Sequence, residues 1–243
     1  MSKKIYKHNP VIHGHFVEGT HDLLHKLTQK EVPLPLSEFE WDCLNAIYGI
    51  VQQRLWDVDP SEYVQHSKQY FSYTAVADAL DYKSNQYIEK INSTIDKMYA
   101  ANLILKNFVH PVDGKKYKTF RTRLIQSDGA IEKDEDGNSF MIDFSDFFMV
   151  CMMRHSANFT VIDLNESRDV KGKYAKPIYE RLKSKQSLYP SLLFKIKELN
   201  EMFCVEENTL RRHKERIKRM VAQNPEIFVM NEYPDGIEVS LKK

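Results

Sequence analysis

Six Lys or Arg side chains fall within the nine residues Arg211–Arg219, with Glu215 the single acid among them, and Asn208 and Thr209 stand just ahead of them. Residues of these types at helical spacing can read duplex DNA. A guanidinium forks onto the edge of guanine, an Asn amide pairs with adenine, and ammonium groups meet phosphates. If Glu207–Val221 is a helix, Leu210, Ile217 and Val221 share its inward face, and Asn208, Arg211, Arg212, Glu215 and Arg219 cannot all turn in with them. The expectation is that Asn208, Arg211 and Arg212 meet bases, that Lys214, Lys218 and Arg219 meet the backbone, and that Thr209 and Glu215 complete the contact set. A solvated helix of i,i+4 pairs such as Glu207 with Arg211 is the plainer reading, but six cations against one acid are too lopsided for pairing within the segment.

The charge of the whole chain supports this assignment once it is resolved along the sequence. Lys171–Arg219 holds 14 Lys/Arg and 6 Asp/Glu, whereas the remainder of the 243 residues holds 21 against 28, so the net +1 is built from opposed blocks. Such opposition marks a polyanion-binding region joined to a body that is not one. Hydrophobic residues at 42 %, with 8 Gly and 9 Pro, describe an ordinary folded chain rather than a low-complexity one. The longest apolar run, Phe147–Met153, is far shorter than a bilayer span requires. Met1–Asn9 is polar with no apolar stretch behind it, and the three cysteines Cys43, Cys151 and Cys204 are widely separated, so a cytoplasmic protein without disulfides is expected.

Other chemistries fit less well. His13-Gly14-His15 resembles the paired metal-binding histidines of rolling-circle nicking enzymes, yet those flank a bulky apolar residue on a strand, whereas Gly14 stands between them in what reads as a loose arm. His21 and His25 lack a third ligand of evident spacing. Glu132, Asp134, Asp136, Gly137, Asn138 and Asp143 approach the spacing of a calcium loop, but their strand-like flanks make an acidic hairpin the better reading. No phosphate-binding glycine loop, dinucleotide turn, nucleophile elbow or zinc-protease helix occurs. A binding protein with no cofactor and no metal is expected.

The elements that would position the basic residues can be read from periodicity. Ser37 with Glu40 forms a capping box ahead of a long helix reaching about Trp56. A short helix is expected over Thr74–Leu80, a turn at Asp81–Lys83, and a third helix capped by Ser84 with Ile88, Ile91, Ile95 and Met98 inward. Leu103–Val109 and Tyr117–Ile125 then read as a hairpin about Asp113-Gly114, with Arg121 and Arg123 outward. A helix-turn-helix followed by a hairpin is a winged helix. In this first copy Lys83, Ser84, Asn85, Gln86 and Lys90 stand where the basic helix stands in the second. The plan recurs as a connector Val161–Val170, helices over Lys173–Lys185, Leu192–Phe203 and Glu207–Val221, and a hairpin whose five-residue loop surrounds Tyr233-Pro234-Asp235-Gly236. The expected fold is α+β, mainly helical, with two tandem winged-helix domains at 34–156 and 157–243 behind an arm at 1–33.

Phe159–Leu164 followed by Lys171-Gly172-Lys173-Tyr174-Ala175-Lys176-Pro177-Ile178-Tyr179-Glu180-Arg181-Leu182 resembles the initiator replication proteins of iteron-containing plasmids. In that family a strand leads into the second winged helix through a pattern close to SKYA-x-x-LYE-x-L, from which Gly172 and Ile178 depart mildly. The resemblance implies binding of double-stranded DNA at repeated origin sites as a monomer, melting of an adjacent AT-rich stretch with host factors including the host initiator, and recruitment of the host replicative helicase. It also implies a monomer–dimer equilibrium, with the dimer repressing its own promoter at an operator. By position it assigns the reading of the repeat to Asn208, Arg211, Arg212 and Lys214. A winged-helix transcription regulator of phage or chromosomal origin is the alternative.

Overall fold

The structure is a computed structural model that describes residues 11–13, 37–55, 57–83, 86–110, 114–134, 137–151, 159–161, 164–172, 174–185, 189–203 and 207–242. The first helix, α1 (Glu38–Arg54), starts where its capping box requires: the Ser37 hydroxyl accepts from the Glu40 amide, and the Glu40 carboxylate accepts from the Ser37 amide at 2.6 Å. It ends at Arg54, with Leu55 at the C-cap. A 3-10 turn (Pro60–His66) leads to β2 (Lys68–Ser72), α2 (Tyr73–Ala79) and α3 (Tyr87–Ala100). Helix α3 buries Ile91, Ile95 and Met98, as its periodicity predicts, and Thr94 with them, while Ile88 is half-buried; it begins at Tyr87 with Gln86 at the N-cap. The N-cap is thus Gln86, and the expected cap Ser84 lies outside the described residues. Asp81 stands in the expected turn, with a φ of +50° in a left-handed conformation that Asp tolerates.

Strands β3 (Asn102–Val109) and β4 (Lys116–Arg123) form the expected hairpin. Strands β5 (Ile125–Asp134) and β6 (Gly137–Phe144) form the acidic one, with Asp134 opposite Gly137, and β6 also pairs with β2 to give the order β2-β6-β5. The apolar run that follows is helix α4 (Asp146–Cys151), which inserts Phe147, Phe148 and Met149 into the core. That core packs Trp41, Ile47, Tyr48, Val51, Phe71, Ile91, Ile95, Phe140 and Phe144, with Phe71 stacked on Phe140 at 5.2 Å and Phe144 on Phe148 at 4.4 Å.

The stretch expected as a connector, Val161–Val170, opens on the last residue of β7 (Phe159–Val161) and contains α5 (Leu164–Asp169). Strand β7 pairs antiparallel with β1 (Val11–His13), so this part of the expected loose arm is a strand. Gly172, at φ +102°, takes a conformation that glycine alone adopts without strain, and α6 (Ala175–Lys185) follows.

Leu192–Phe203, expected as one helix, is divided into β8 (Ser191–Lys195) and α7 (Ile196–Phe203). The reason is tertiary: Leu192, Leu193 and Phe194 pair in register with Val239, Glu238 and Ile237, and a short apolar run carries no periodic signal against that pairing. The last elements are α8 (Leu210–Gln223), β9 (Phe228–Glu232) and β10 (Gly236–Leu241), with sheet order β8-β10-β9 and a loop shorter than expected. A second core gathers Val170, Ala175, Ile178, Tyr179, Leu182, Phe194, Leu199, Ile217, Met220, Phe228 and Val239. Strands thus take a larger share than the mainly helical expectation allowed.

Polar groups join the two cores. Lys176, 1 % exposed, donates to Asp42 Oδ1 and to the Ser167 carbonyl, each at 2.6 Å. Asn45 donates to Glu180 at 2.8 Å, and the Gly172 amide donates to Glu38 at 2.6 Å. Burial pushes the Asp42 carboxyl up despite Lys176, and burial pushes Glu180 up to about 7.

Candidate nucleic-acid interface

Helix α8 begins three residues later than its sequence suggests. Thr209 occupies the N-cap without a side-chain bond, and Asn208 precedes the helix, exposed. The start is fixed from α7: Asn200 Nδ2 donates to the Glu207 carbonyl at 2.9 Å, and Asn200 Oδ1 accepts from the Glu207 amide at 3.1 Å. His213 Nε2 lies 2.7 Å from the same Asn200 oxygen. His213 is fully buried, and its pKa is lowered first by burial and then by Arg216. The sequence reading omitted it, although Leu210, His213, Ile217 and Met220 follow the three-and-four spacing of an inward face. At the other end Asn224 donates to the carbonyls of Met220 at 2.7 Å and Lys171 at 2.8 Å, and accepts from the Lys171 amide.

The face so positioned is basic and outward. Arg211, Arg212, Glu215, Lys218 and Arg219 are exposed, and Lys214 is half-buried. Their partners correct the pairing argument. Arg212 Nη1 meets Glu207 Oε2 at 3.2 Å and Arg216 Nη2 meets Glu207 Oε1 at 3.0 Å, while Glu232 on β9 receives Lys214 at 3.2 Å and Lys218 at 2.6 Å. Arg211 lies 3.4 Å from Glu215. The segment has only Glu215 as an acid of its own, but Glu207 and Glu232 reach it from outside the nine residues. These hydrogen bonds, to Lys218 and then Lys214, hold the Glu232 carboxyl below its usual range. The pairs made by Glu232 and Glu215 each have an exposed member, and such pairs exchange partners at a cost of about 1 kcal/mol or less, whereas Arg216 and Glu207 are both half-buried.

The corresponding residues ahead of and on α3 are placed differently. Lys83 and Gln86 are exposed, and Ser84 and Asn85 lie outside the described residues. Lys90 sits over the rings of Tyr82 at 4.8 Å and Phe39 at 5.5 Å, and also bonds the Tyr82 hydroxyl. Arg121 and Arg123 are exposed on β4. Thus Glu232 on β9 brings Lys214 and Lys218 together along one flank of α8, while Glu207 holds Arg212 and Arg216. Among the described residues no cluster of potential metal ligands occurs, and no helix is long and apolar enough to cross a membrane.

No curated protein sequence matches the chain. Among solved structures, the Pi initiator protein in complex with iteron DNA is similar at a TM-score of 0.60 and 12 % identity, covering 98 % of this chain and 99 % of that one. Domains 2 and 3 of RctB are similar at 0.55 and 13 %, covering 85 % and 82 %. At these identities the likeness is one of fold, and the fold is that of winged-helix initiators. The family model described as "Initiator Replication protein, WH1" matches residues 24–183, from ahead of α1 through the Lys171–Leu182 motif to α6, about two thirds of the sequence. The chain therefore belongs to the initiator replication protein family.

Proposed function

We propose that the chain starts plasmid replication by binding repeated origin sites in double-stranded DNA through two tandem winged helices. The boundaries are an arm at 1–33, a first module at 34–156 and a second at 157–243. The observation that carries the reading is the exposed basic face of α8 beside the β9–β10 hairpin, since a helix backed by a wing presents its side chains to the major groove. The resemblance in fold to an initiator in complex with iteron DNA supports the same assignment.

In this reading Asn208, Arg211 and Arg212 meet bases, with Thr209 and Glu215 beside them, and Lys214, Lys218 and Arg219 meet phosphates. The first module adds contacts through Lys83, Ser84, Asn85, Gln86, Lys90, Arg121 and Arg123, or pairs with a second copy. The chain acts in the cytoplasm as a binder rather than an enzyme, represses its own promoter as a dimer, and works with the host initiator and replicative helicase.

Selection of duplexes from a randomised library by the full chain tests the reading. One motif should be recovered, bound about 10³-fold or more above random duplex, and it should occur as direct repeats beside the gene. Selection that enriches no sequence would overturn it.

A further inference from the structure

We propose that Glu207 is a positioning residue for base readout: its carboxylate holds Arg212 in the direction from which that guanidinium reads a guanine. The inference rests on the DNA-binding reading above and deepens it at one side chain. An arginine on a surface helix ordinarily samples many rotamers, and ordering it on a base costs entropy that weakens discrimination. Here the ordering is built in. Glu207 is anchored at its own amide and carbonyl by Asn200, which His213 contacts in turn. Its carboxylate, only 10 % exposed, meets Arg212 Nη1 through one oxygen and Arg216 Nη2 through the other.

The two arginines differ in what remains available. Arg216 is 25 % exposed and lies 5.9 Å over the Tyr174 ring, so it is fixed to the fold, whereas Arg212 is 70 % exposed. Held through Nη1, Arg212 can still turn its Nη2 and Nε edge outward, the fork that fits guanine O6 and N7. Arg211 offers a contrast. Its one described ion pair is with Glu215 on the same helix, with side-chain exposures of 86 % and 52 %. Of two adjacent arginines with the same chemistry, the structure orders Arg212 from a neighbouring buried clamp and leaves Arg211 on an exposed pair, which makes Arg212 the reader.

The signature of this role is a pair of opposite effects. Removing the carboxylate frees Arg212 and lowers affinity for the preferred duplex relative to random duplex. It also deletes a negative charge beside the phosphates, so random-duplex affinity rises. A residue that merely holds the fold would lower both.

The test applies selection and fluorescence anisotropy to the full chain carrying Glu207→Gln, Glu207→Ala, Arg212→Ala or the Glu207→Ala/Arg212→Ala pair. The duplex selected by the unaltered chain and a scrambled duplex of equal composition serve as probes, and thermal melting checks folding. The Ala variant keeps both backbone bonds to Asn200 while removing both side-chain contacts. Discrimination should fall roughly 3- to 10-fold in each Glu207 variant, the size expected when one rotamer-rich side chain loses its preordering. Random-duplex affinity should rise about 2-fold, and the selected motif should lose preference at one guanine. In the Arg212→Ala background the Glu207→Ala change should leave discrimination unaltered. If Arg212→Ala lowers discrimination while neither Glu207 variant does, Glu207 has no positioning role and the DNA-binding reading stands. If Arg212→Ala has no effect on either duplex, that reading of α8 fails and this inference fails with it.

Discussion

The junction between the two cores and the outer face of α8 use the same chemistry, lysine or arginine against carboxylate, in opposite surroundings. At the junction Lys176 is 1 % exposed and meets Asp42 at 2.6 Å. On α8 Lys218 is 60 % exposed and meets Glu232 at the same distance. Distance therefore does not distinguish a brace from a tool, and burial does. Breaking a buried pair leaves a charge with neither partner nor water. An exposed pair gives way to any anion that fits, a phosphate included. The basic block Lys171–Arg219 contains both kinds, so its +8 overstates the charge available to a ligand.

The sharpest way to break this comparison is Lys176→Ala. It should cost about 3–5 kcal/mol, because Asp42 loses its cation inside the junction and keeps only the Ser167 hydroxyl at 3.3 Å, while the Ser167 carbonyl is left with the Val170 amide alone. Urea unfolding of the full chain measures this, and a cost under about 1 kcal/mol would place the junction in the same class as the surface pairs.

Glu180→Gln should act in the other direction and depend on pH. In the fold Glu180 titrates at about 7, above the ordinary 4.5, so between those values the folded chain binds the proton more tightly than the unfolded one and stability falls as pH rises. Gln retains an oxygen for the Asn45 donor and never ionises. The variant should match the parent near pH 4.5, gain steadily above it, and level off above pH 7 at about 1–3 kcal/mol. Melting curves across that range decide, and a difference independent of pH would mean that Glu180 ionises freely where it stands.

The smallest effect belongs to Lys218→Ala. Its stability change should stay within about 0.5 kcal/mol, and on both preferred and random duplex it should lower the salt slope of binding by up to about 1. Anisotropy titrations over a salt series give the slope. An unchanged slope would leave Lys218 bound to Glu232 in the complex rather than to phosphate.

What the sequence made legible divides along the range of each interaction. The capping box of Ser37 and Glu40, the inward stripe of α3 and the acidic β5–β6 hairpin are set by residues within one turn or one strand pair, and each appears where the spacing puts it. Strand β8 was not legible, because the choice between helix and strand for Leu192–Phe194 is made by β10, more than forty residues later. The outward direction of Arg211, Arg212 and Arg219 followed from periodicity alone. Their ionic partners did not. Glu232 reaches Lys214 and Lys218 across the crease between a helix and a strand, and a count confined to one segment cannot contain it.

The pairing of Val11–His13 with Phe159–Val161 also sets a timetable for synthesis. The first of these strands leaves the ribosome ahead of its partner, which follows only after the chain has grown by nearly 150 residues, roughly 7–30 s at elongation rates of about 5–20 residues per second. A lone pair of three-residue strands closing so long a loop has little stability of its own. The intervening core, with its α1 cap and its β2-β6-β5 sheet, can be complete before the two strands meet. The N-terminal strand is therefore a late clasp, fastened to a body that has already folded.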